Sequence, residues 1–266
     1  MSQQPTSGVY FSGEVLYGDS FTSDQILAWH EHERHAYFDL YGAEEYPYHA
    51  LNQRHGYRHL PQKSFAHCLA FGCGSGDELL PIASRLKQIT AIEPSVECWS
   101  DSIASVPCNY QKPDPLGDLN LPDNSIDLVT CFGVLHHVPN VSHVLGELFR
   151  VCAPGAYLLV REPTISMGDW SRPRPGLTPN ERGLPTKLFL HMLGAAGFRI
   201  DHATHCMAPV VPAIGSRLHF PVFNSPTLVI LDQFLSAATK WNWRYHQVSK
   251  LRKLSPKALF VVSRKP

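Results

Sequence analysis

The chain has 266 residues, and its 23 lysine and arginine residues balance its 23 aspartate and glutamate residues. Because no net positive charge attracts a polyanion over a distance, we expect no nucleic-acid partner. We expect neither a secretory signal nor a membrane span, since no apolar run approaches the roughly 20 residues that cross a bilayer. The seven cysteines form no C-x-x-C pair, which predicts reduced thiols in a cytoplasmic protein rather than a metal or disulfide framework.

Residues 1–60 are predicted to form an N-terminal cap that is helical and rich in aromatic side chains. The pattern predicts a helix that begins at Ser23 and ends near Gly42. Several histidines occur in this helix, but His30 and His32 would point to different sides of it. The cap either closes over a bound cofactor and substrate or covers one face of a sheet, and both alternatives remain open.

A short apolar segment at 65–71 leads into three glycines at alternate positions. The segment has the length of a buried strand of a parallel sheet, and apolar residues at helical spacing follow the glycines. A strand, a glycine turn and a helix start bring free backbone N–H groups close to an anionic ligand. The glycines are Gly72, Gly74 and Gly76. A dinucleotide fingerprint would place the third glycine at position 77, which Asp77 occupies.

Further motifs follow this turn in a fixed order. A second short apolar strand ends in Glu93, and a later strand at 126–131 leads to His136 and His137, which are predicted to open the next helix. Together with the G-x-G-x-G turn, this order resembles the class I S-adenosylmethionine (SAM) methyltransferases that act on small molecules. The resemblance extends from residue 65 to residue 162.

The resemblance implies a three-layer α/β fold of the Rossmann-like methyltransferase type, with a seven-stranded, mostly parallel sheet and one antiparallel strand. It also implies SAM as the cofactor. Glu93 would accept both ribose hydroxyls, and either Asp114 or Asp118 would lie near the adenine amino group. The predicted cofactor-binding residues are Phe71, Gly72, Gly74, Gly76, Glu93, Asp114 and Phe132.

One position departs from the family pattern. Two residues before the first glycine, the family usually has an acidic residue that is linked to the methionine ammonium, and this chain has Ala70. Backbone carbonyls near Phe71 or Phe132 would then receive the ammonium. Otherwise the chain would bind SAM weakly.

We expect methyl transfer to a small-molecule or glycan-like acceptor, at oxygen. His136 or His137 would remove the acceptor's proton, or would instead pack beneath the cofactor. The long loop at 164–185 leaves the sheet edge where open α/β proteins bind ligands, and guanidinium groups hold planar anions. The predicted acceptor-binding residues are Tyr17, Trp170, Arg172, Arg174 and Arg182.

The methyltransferase domain is expected at residues 61–266, with an insertion at about 207–255. Within the insertion, residues 227–253 suit either a membrane surface or a helix packed on the core. No metal is expected, because no ligand set is apparent. Two other classes remain open: a SAM-binding methyltransferase-like protein without turnover, which Ala70 favours, and a nicotinamide-dependent oxidoreductase, which Asp77 disfavours.

Overall fold

The computed structural model describes residues 7–37, 46–169, 174 and 176–266, and every structural statement below concerns these residues. Their strands are β1 (Cys68–Phe71), β2 (Ile89–Ile92), β3 (Ser102–Ile103), β4 (Val106–Gln111), β5 (Ile126–Phe132), β6 (Cys152–Pro163), β7 (Arg199–Cys206) and β8 (Ala258–Arg264). Their α-helices are α1 (Ser7–Ser12), α2 (Ser23–Tyr37), α3 (His49–His55), α4 (Val141–Val151), α5 (Thr186–Ala195), α6 (Val210–Leu218) and α7 (Pro226–Thr239).

All eight strands belong to one sheet, in the order β3-β4-β2-β1-β5-β6-β8-β7. Strands β4, β2, β1, β5 and β6 are parallel, and β8 runs antiparallel to both β6 and β7. This arrangement confirms the predicted fold class and the antiparallel strand at the end of the chain. The sheet has one strand more than the seven we expected.

The additional strand is the two-residue edge strand β3, which pairs antiparallel with β4. The loop between them consists of Ala104 and Ser105, which both have positive φ angles. Two positive φ angles match the twist of a tight hairpin, and Asn-Gly or Asp-Gly is the usual sequence for them. Ala-Ser carries no such signal, so the sequence did not indicate this hairpin.

The segment after the glycine turn differs from the predicted α-helix. It is a 3-10 helix over Asp77–Arg85, with Pro81 at its fifth residue. Proline cannot donate the i→i−4 hydrogen bond of an α-helix, and its ring clashes with the carbonyl four residues earlier. Pro81 lies beyond the first turn, where proline is tolerated, and this accounts for the absence of a continuous α-helix here.

The histidine pair also lies in a different element from the one predicted. Leu135–His137 form an isolated 3-10 turn, and α4 begins only after Pro139. The turn therefore places both histidines at the carboxyl end of β5 rather than along the next helix.

Two apolar clusters cover the two faces of the sheet. Because successive residues of a strand point to opposite faces, Ala70 and Phe71 belong to different clusters. The first face includes Leu51, Tyr57, Ala70, Phe132 and Phe260. The second face includes Leu16, Phe71, Leu145, Val160 and Phe189. The N-terminal region is thus divided, since α3 packs on the first face and residues near α2 pack on the second.

The insertion at 207–255 includes α6 and α7. Val229 of α7 is fully buried, whereas Phe234 is 71% exposed and Trp241, just beyond the helix, is 74% exposed. Membrane-surface contact through 227–253 stays a prediction. None of the described helices combines the length and apolarity that a bilayer crossing demands.

Candidate cofactor and acceptor site

The glycine turn lies at the carboxyl end of β1, and its three glycines all have positive φ angles. The Gly72 N–H donates to the Ile92 carbonyl at 2.8 Å, which ties the turn to the end of β2. A Cβ atom on Gly72 would lie 2.5 Å from Cγ2 of Val134. Any side chain there would therefore collide with the segment that carries the histidine pair, so the two segments depend on this glycine for their close approach.

Glu93 is fully buried at the end of β2 and holds the turn through its side chain. One carboxylate oxygen accepts the Gly74 N–H at 2.8 Å, and the other accepts the Ser95 N–H at 3.0 Å. These two bonds fix the Glu93 carboxylate against the glycine turn. The contact of Glu93 with the ribose hydroxyls stays a prediction.

An aromatic pair lies beside Glu93. The Trp99 indole donates to the Glu93 carbonyl at 3.2 Å, and its ring stacks on Tyr110 with centroids 5.9 Å apart. The Tyr110 hydroxyl donates to the Gly74 carbonyl at 3.0 Å. These rings give the site a flat apolar wall that the sequence reasoning missed, although an aromatic residue shortly after the acidic strand end would have been a usable signal.

The structure separates the two candidates for the adenine contact. Asp114 is exposed just beyond β4, and its carboxylate accepts the Leu116 N–H at 2.8 Å. Asp118 instead pairs with His143 at 2.7 Å, on the exposed surface. This difference favours Asp114, and its contact with adenine stays a prediction.

Glu162 organises the histidine turn from the end of β6. Its buried carboxylate accepts the backbone N–H groups of Val134 and Leu135, each at 2.8 Å, and that of His136 at 3.3 Å. It also bonds Nδ1 of the His136 ring at 2.8 Å. One carboxylate thus fixes both the backbone of the turn and the orientation of the first imidazole.

His136 lies between two carboxylates. Its Nε2 is 3.5 Å from Oε1 of Glu181, on the side opposite Glu162. Burial alone would lower the pKa of His136, but the two carboxylates outweigh burial and raise the pKa to about 9. His136 is therefore an imidazolium at neutral pH, which suits a structural cation better than a general base.

His137 differs from His136 in its protonation state. Its Nδ1 lies 3.6 Å from Oε2 of Glu33, a fully buried residue of α2. Burial and the neighbouring cation His136 lower the pKa of His137, although Glu33 and Glu181 oppose them. The ring of His137 is therefore neutral at pH 7 and able to accept a proton.

Arg182 is fully buried and donates only to main-chain carbonyls among the contacts of the described residues. Its acceptors are the carbonyl oxygens of Tyr17, Leu135, His136, Val138 and Pro139, at 2.9–3.2 Å. Its guanidinium also lies 5.2 Å from the Trp29 ring centroid. Burial lowers the pKa of Arg182 to about 10, which leaves it charged at neutral pH. This geometry favours a structural clamp over the predicted contact with the acceptor.

The other predicted acceptor-binding residues differ in their contacts and in whether the structure describes them. Arg174 is partly buried and donates to the Met167, Thr178 and Pro179 carbonyls of its own loop. Tyr17 packs edge-on against Tyr10 with ring centroids 5.0 Å apart, and it is partly exposed. Trp170 and Arg172 lie outside the described residues. An acceptor-binding role for these residues stays a prediction.

Ligand atoms of His136, His137 and Glu181 all lie within 4.8 Å of one another. Such a set can hold a metal ion, and the sequence did not reveal it because Glu181 comes from a distant loop. The raised pKa of His136 means that a proton already balances its carboxylate neighbours at neutral pH. The expectation that no metal is needed stays a prediction.

Comparison with known proteins agrees with this geometry. Residues 69–160, from β1 to the end of the parallel core, match the model of a methyltransferase domain. A probable S-adenosylmethionine-dependent methyltransferase from Mycolicibacterium smegmatis is 28% identical over 137 residues, which are 50% of this chain and 52% of that protein. The 27-O-demethylrifamycin SV methyltransferase of Amycolatopsis mediterranei is 28% identical over 187 residues, covering 64% of this chain and 66% of that enzyme.

A solved structure shows the same fold. The S-adenosylmethionine-dependent methyltransferase from Mesorhizobium loti superposes with a TM-score of 0.52 at 19% identity, covering 77% of this chain and 93% of that one. The chain therefore carries a methyltransferase domain with the Rossmann-like fold. This domain is similar to those of SAM-dependent methyltransferases, and SAM is the cofactor of that class.

Proposed function

We propose that the chain transfers the methyl group of SAM to an oxygen atom of a small-molecule or glycan-like acceptor. The observation that carries the proposal is a neutral histidine, His137, paired with Glu33 beside the glycine turn of a methyltransferase domain. The match spans only about half the length of the mycobacterial relative, so the activity of the whole protein rests on this proposal.

The residues present fit SAM at the carboxyl ends of β1, β2 and β4. Glu93 lies at the end of β2 where it would meet the ribose, Trp99 gives a flat wall beside it, and the Gly72–Gly76 turn allows close approach to the backbone. Asp114 would hold the adenine, with Phe71 and Phe132 at the strand ends. SAM, when bound, supplies an activated methyl group on a sulfonium, so the protein has mainly to align the acceptor with it.

An oxygen acceptor must also lose a proton, and His137 is the group in a state to take it. Its ring is neutral at pH 7, and Glu33 would stabilise the imidazolium that forms. His136 remains protonated and fixed by Glu162, so its part is to hold the turn that carries the base. A small-molecule acceptor is supported by the likeness to the rifamycin methyltransferase.

The ribose assignment predicts that Glu93→Ala weakens SAM binding by about 1.5–3 kcal/mol, the range for hydrogen bonds to a charged group. Isothermal titration calorimetry measures the change. Because Glu93 also accepts the Gly74 and Ser95 N–H groups, Glu93→Gln serves as a control that keeps an acceptor for part of the turn. A folded Glu93→Ala protein that binds SAM as tightly as the wild type would remove the assignment.

The proposed activity is tested by titrating the protein with SAM, S-adenosylhomocysteine and NAD, and then by following S-adenosylhomocysteine release with hydroxyl-bearing acceptors. We expect binding of the first two ligands, no binding of NAD, and release that persists in EDTA. Binding of SAM without turnover on any acceptor would favour the methyltransferase-like protein without activity. Binding of NAD alone would favour an oxidoreductase.

A further inference from the structure

The first face of the sheet has an unusual composition next to the glycine turn. Ala70 of β1 pairs in register with Thr130 of β5, and both residues are fully buried. Thr130 points to the same face of the sheet as Leu128 and Phe132, because residues two apart in a strand share a face. Leu128 and Phe132 belong to the same apolar cluster as Ala70. Ala70 therefore lies beside a buried hydroxyl on the same face of the sheet, at the position where the resembled family usually has an acid.

A carboxylate from a different element lies beside this hydroxyl. Glu78, in the 3-10 segment that follows the turn, is only 2% exposed. The Thr130 hydroxyl donates to Oε1 of Glu78 at 2.6 Å, and the Tyr57 hydroxyl donates to the Glu78 carbonyl at 2.8 Å. The chain thus supplies an acidic group at the level of Ala70, although the acid comes from eight residues later.

A buried cation lies on the same face. Arg161 of β6 pairs in register with Phe132, its Nη1 donates to Oδ1 of Asn52 at 2.9 Å, and its guanidinium lies 4.0 Å from the Tyr48 ring centroid. It attracts Glu78 through space, but burial dominates and raises the pKa of Glu78 to about 7. A carboxyl group in this state gains considerably from a cation placed next to it.

We propose that Glu78 and Arg161 form the site for the α-amino-acid group of SAM, with the Glu78 carboxylate binding the ammonium and the Arg161 guanidinium binding the carboxylate. This inference rests on the proposed function. It explains how the chain compensates for Ala70, since an acidic side chain at position 70 would compete for the space next to Thr130 that Glu78 occupies.

The test compares ligands with and without the amino-acid group. S-adenosylhomocysteine and SAM carry it, whereas methylthioadenosine has the same nucleoside and sulfur but lacks it. We expect Glu78→Gln to weaken SAM and S-adenosylhomocysteine about 10- to 100-fold in calorimetry, and to leave methylthioadenosine within about 2-fold. Glutamine has the same shape, and Glu78 is already partly protonated near pH 7, so the variant should fold.

Two further variants complete the design. Thr130→Val removes only the hydroxyl that positions Glu78, so we expect SAM to weaken about 2- to 10-fold with methylthioadenosine unchanged. If circular dichroism shows that Glu78→Gln does not fold, Thr130→Val tests the amino-acid site in its place. Asp201→Asn, which removes an exposed carboxylate from the distant edge strand β7, is the control and should change neither ligand.

The outcomes separate this inference from the proposed function. Equal weakening of SAM and methylthioadenosine, or no weakening of either by a folded Glu78→Gln or Thr130→Val protein, would overturn the amino-acid site alone. Failure of the wild-type protein to bind SAM would overturn the proposed function itself. A selective loss of the amino-acid-bearing ligands supports both.

Discussion

Replacing His137 with glutamine is expected to lower kcat/KM for methyl transfer about 10²- to 10⁴-fold, the usual contribution of a positioned general base. Glutamine keeps a polar side chain of similar size but cannot accept a proton. SAM affinity should stay within about 2-fold, because the residues proposed to hold the cofactor lie at the ends of β1 and β2. Steady-state release of S-adenosylhomocysteine, together with calorimetry, measures both quantities.

The pH profile gives a second measure of the same role. The pKa of His137 is below its ordinary value of about 6.5, so the base is neutral at pH 7 and becomes protonated only in acid. The rate should therefore be flat from pH 7 to pH 8 and should fall as the pH drops below about 6.5. His137→Gln should lose this acid limb, whereas His143→Gln, on the exposed surface, should keep both rate and profile. An unchanged profile in a folded His137→Gln protein would exclude the histidine as the base.

Replacing Glu162 with alanine is expected to lower the free energy of unfolding by about 3–5 kcal/mol, the cost of leaving a buried charge unpaired. The substitution removes the acceptor of three backbone N–H groups in the histidine turn and of the His136 ring. The Leu135 and His136 donors are buried, so water does not replace the carboxylate there. Urea denaturation monitored by circular dichroism measures the loss.

The effect of Glu162→Ala should depend on pH in a definite direction. The folded-state pKa of His136 is about 9 and the ordinary value is about 6.5. The stabilisation from its protonation is therefore complete below about pH 6.5 and disappears as the pH rises through 9. The difference between wild type and variant should be smaller at pH 10 than at pH 7. As a control, Asp118→Asn breaks the exposed Asp118–His143 ion pair and should lower the free energy of unfolding by less than about 1 kcal/mol. If it cost as much as Glu162→Ala, the stabilising role of the buried Glu162 network would be contradicted.

The strands and the cofactor turn were predictable because their signals are local. A run of buried apolar residues, alternate glycines and an acid at the next strand end lie within 30 residues of one another, and their geometry follows from strand and turn sterics. The type of helix after the turn was less predictable, because apolar spacing indicates a helix there, whereas Pro81 at the fifth residue is incompatible with a regular α-helix.

The surroundings of the histidines were not predictable from local patterns. Glu33, Glu162 and Glu181 come from α2, β6 and a late loop, and only the folded sheet edge brings them together. Arg182 illustrates the same limit. Its proline-rich loop suggested an exposed guanidinium, whereas folding buries it against five carbonyl groups that no sequence pattern identifies.

The Arg182 clamp has a consequence for the motions of the protein. One guanidinium joins the backbone at Tyr17, the turn that carries His136, and Pro139 two residues before α4. These segments therefore cannot separate without the loss of several charge-assisted hydrogen bonds. We expect their amide protons to exchange with deuterium as a single cooperative unit, slower than isolated surface turns. The geometry of the proposed base, His137, is then set by the opening free energy of that whole unit, rather than by the flexibility of its own three-residue turn.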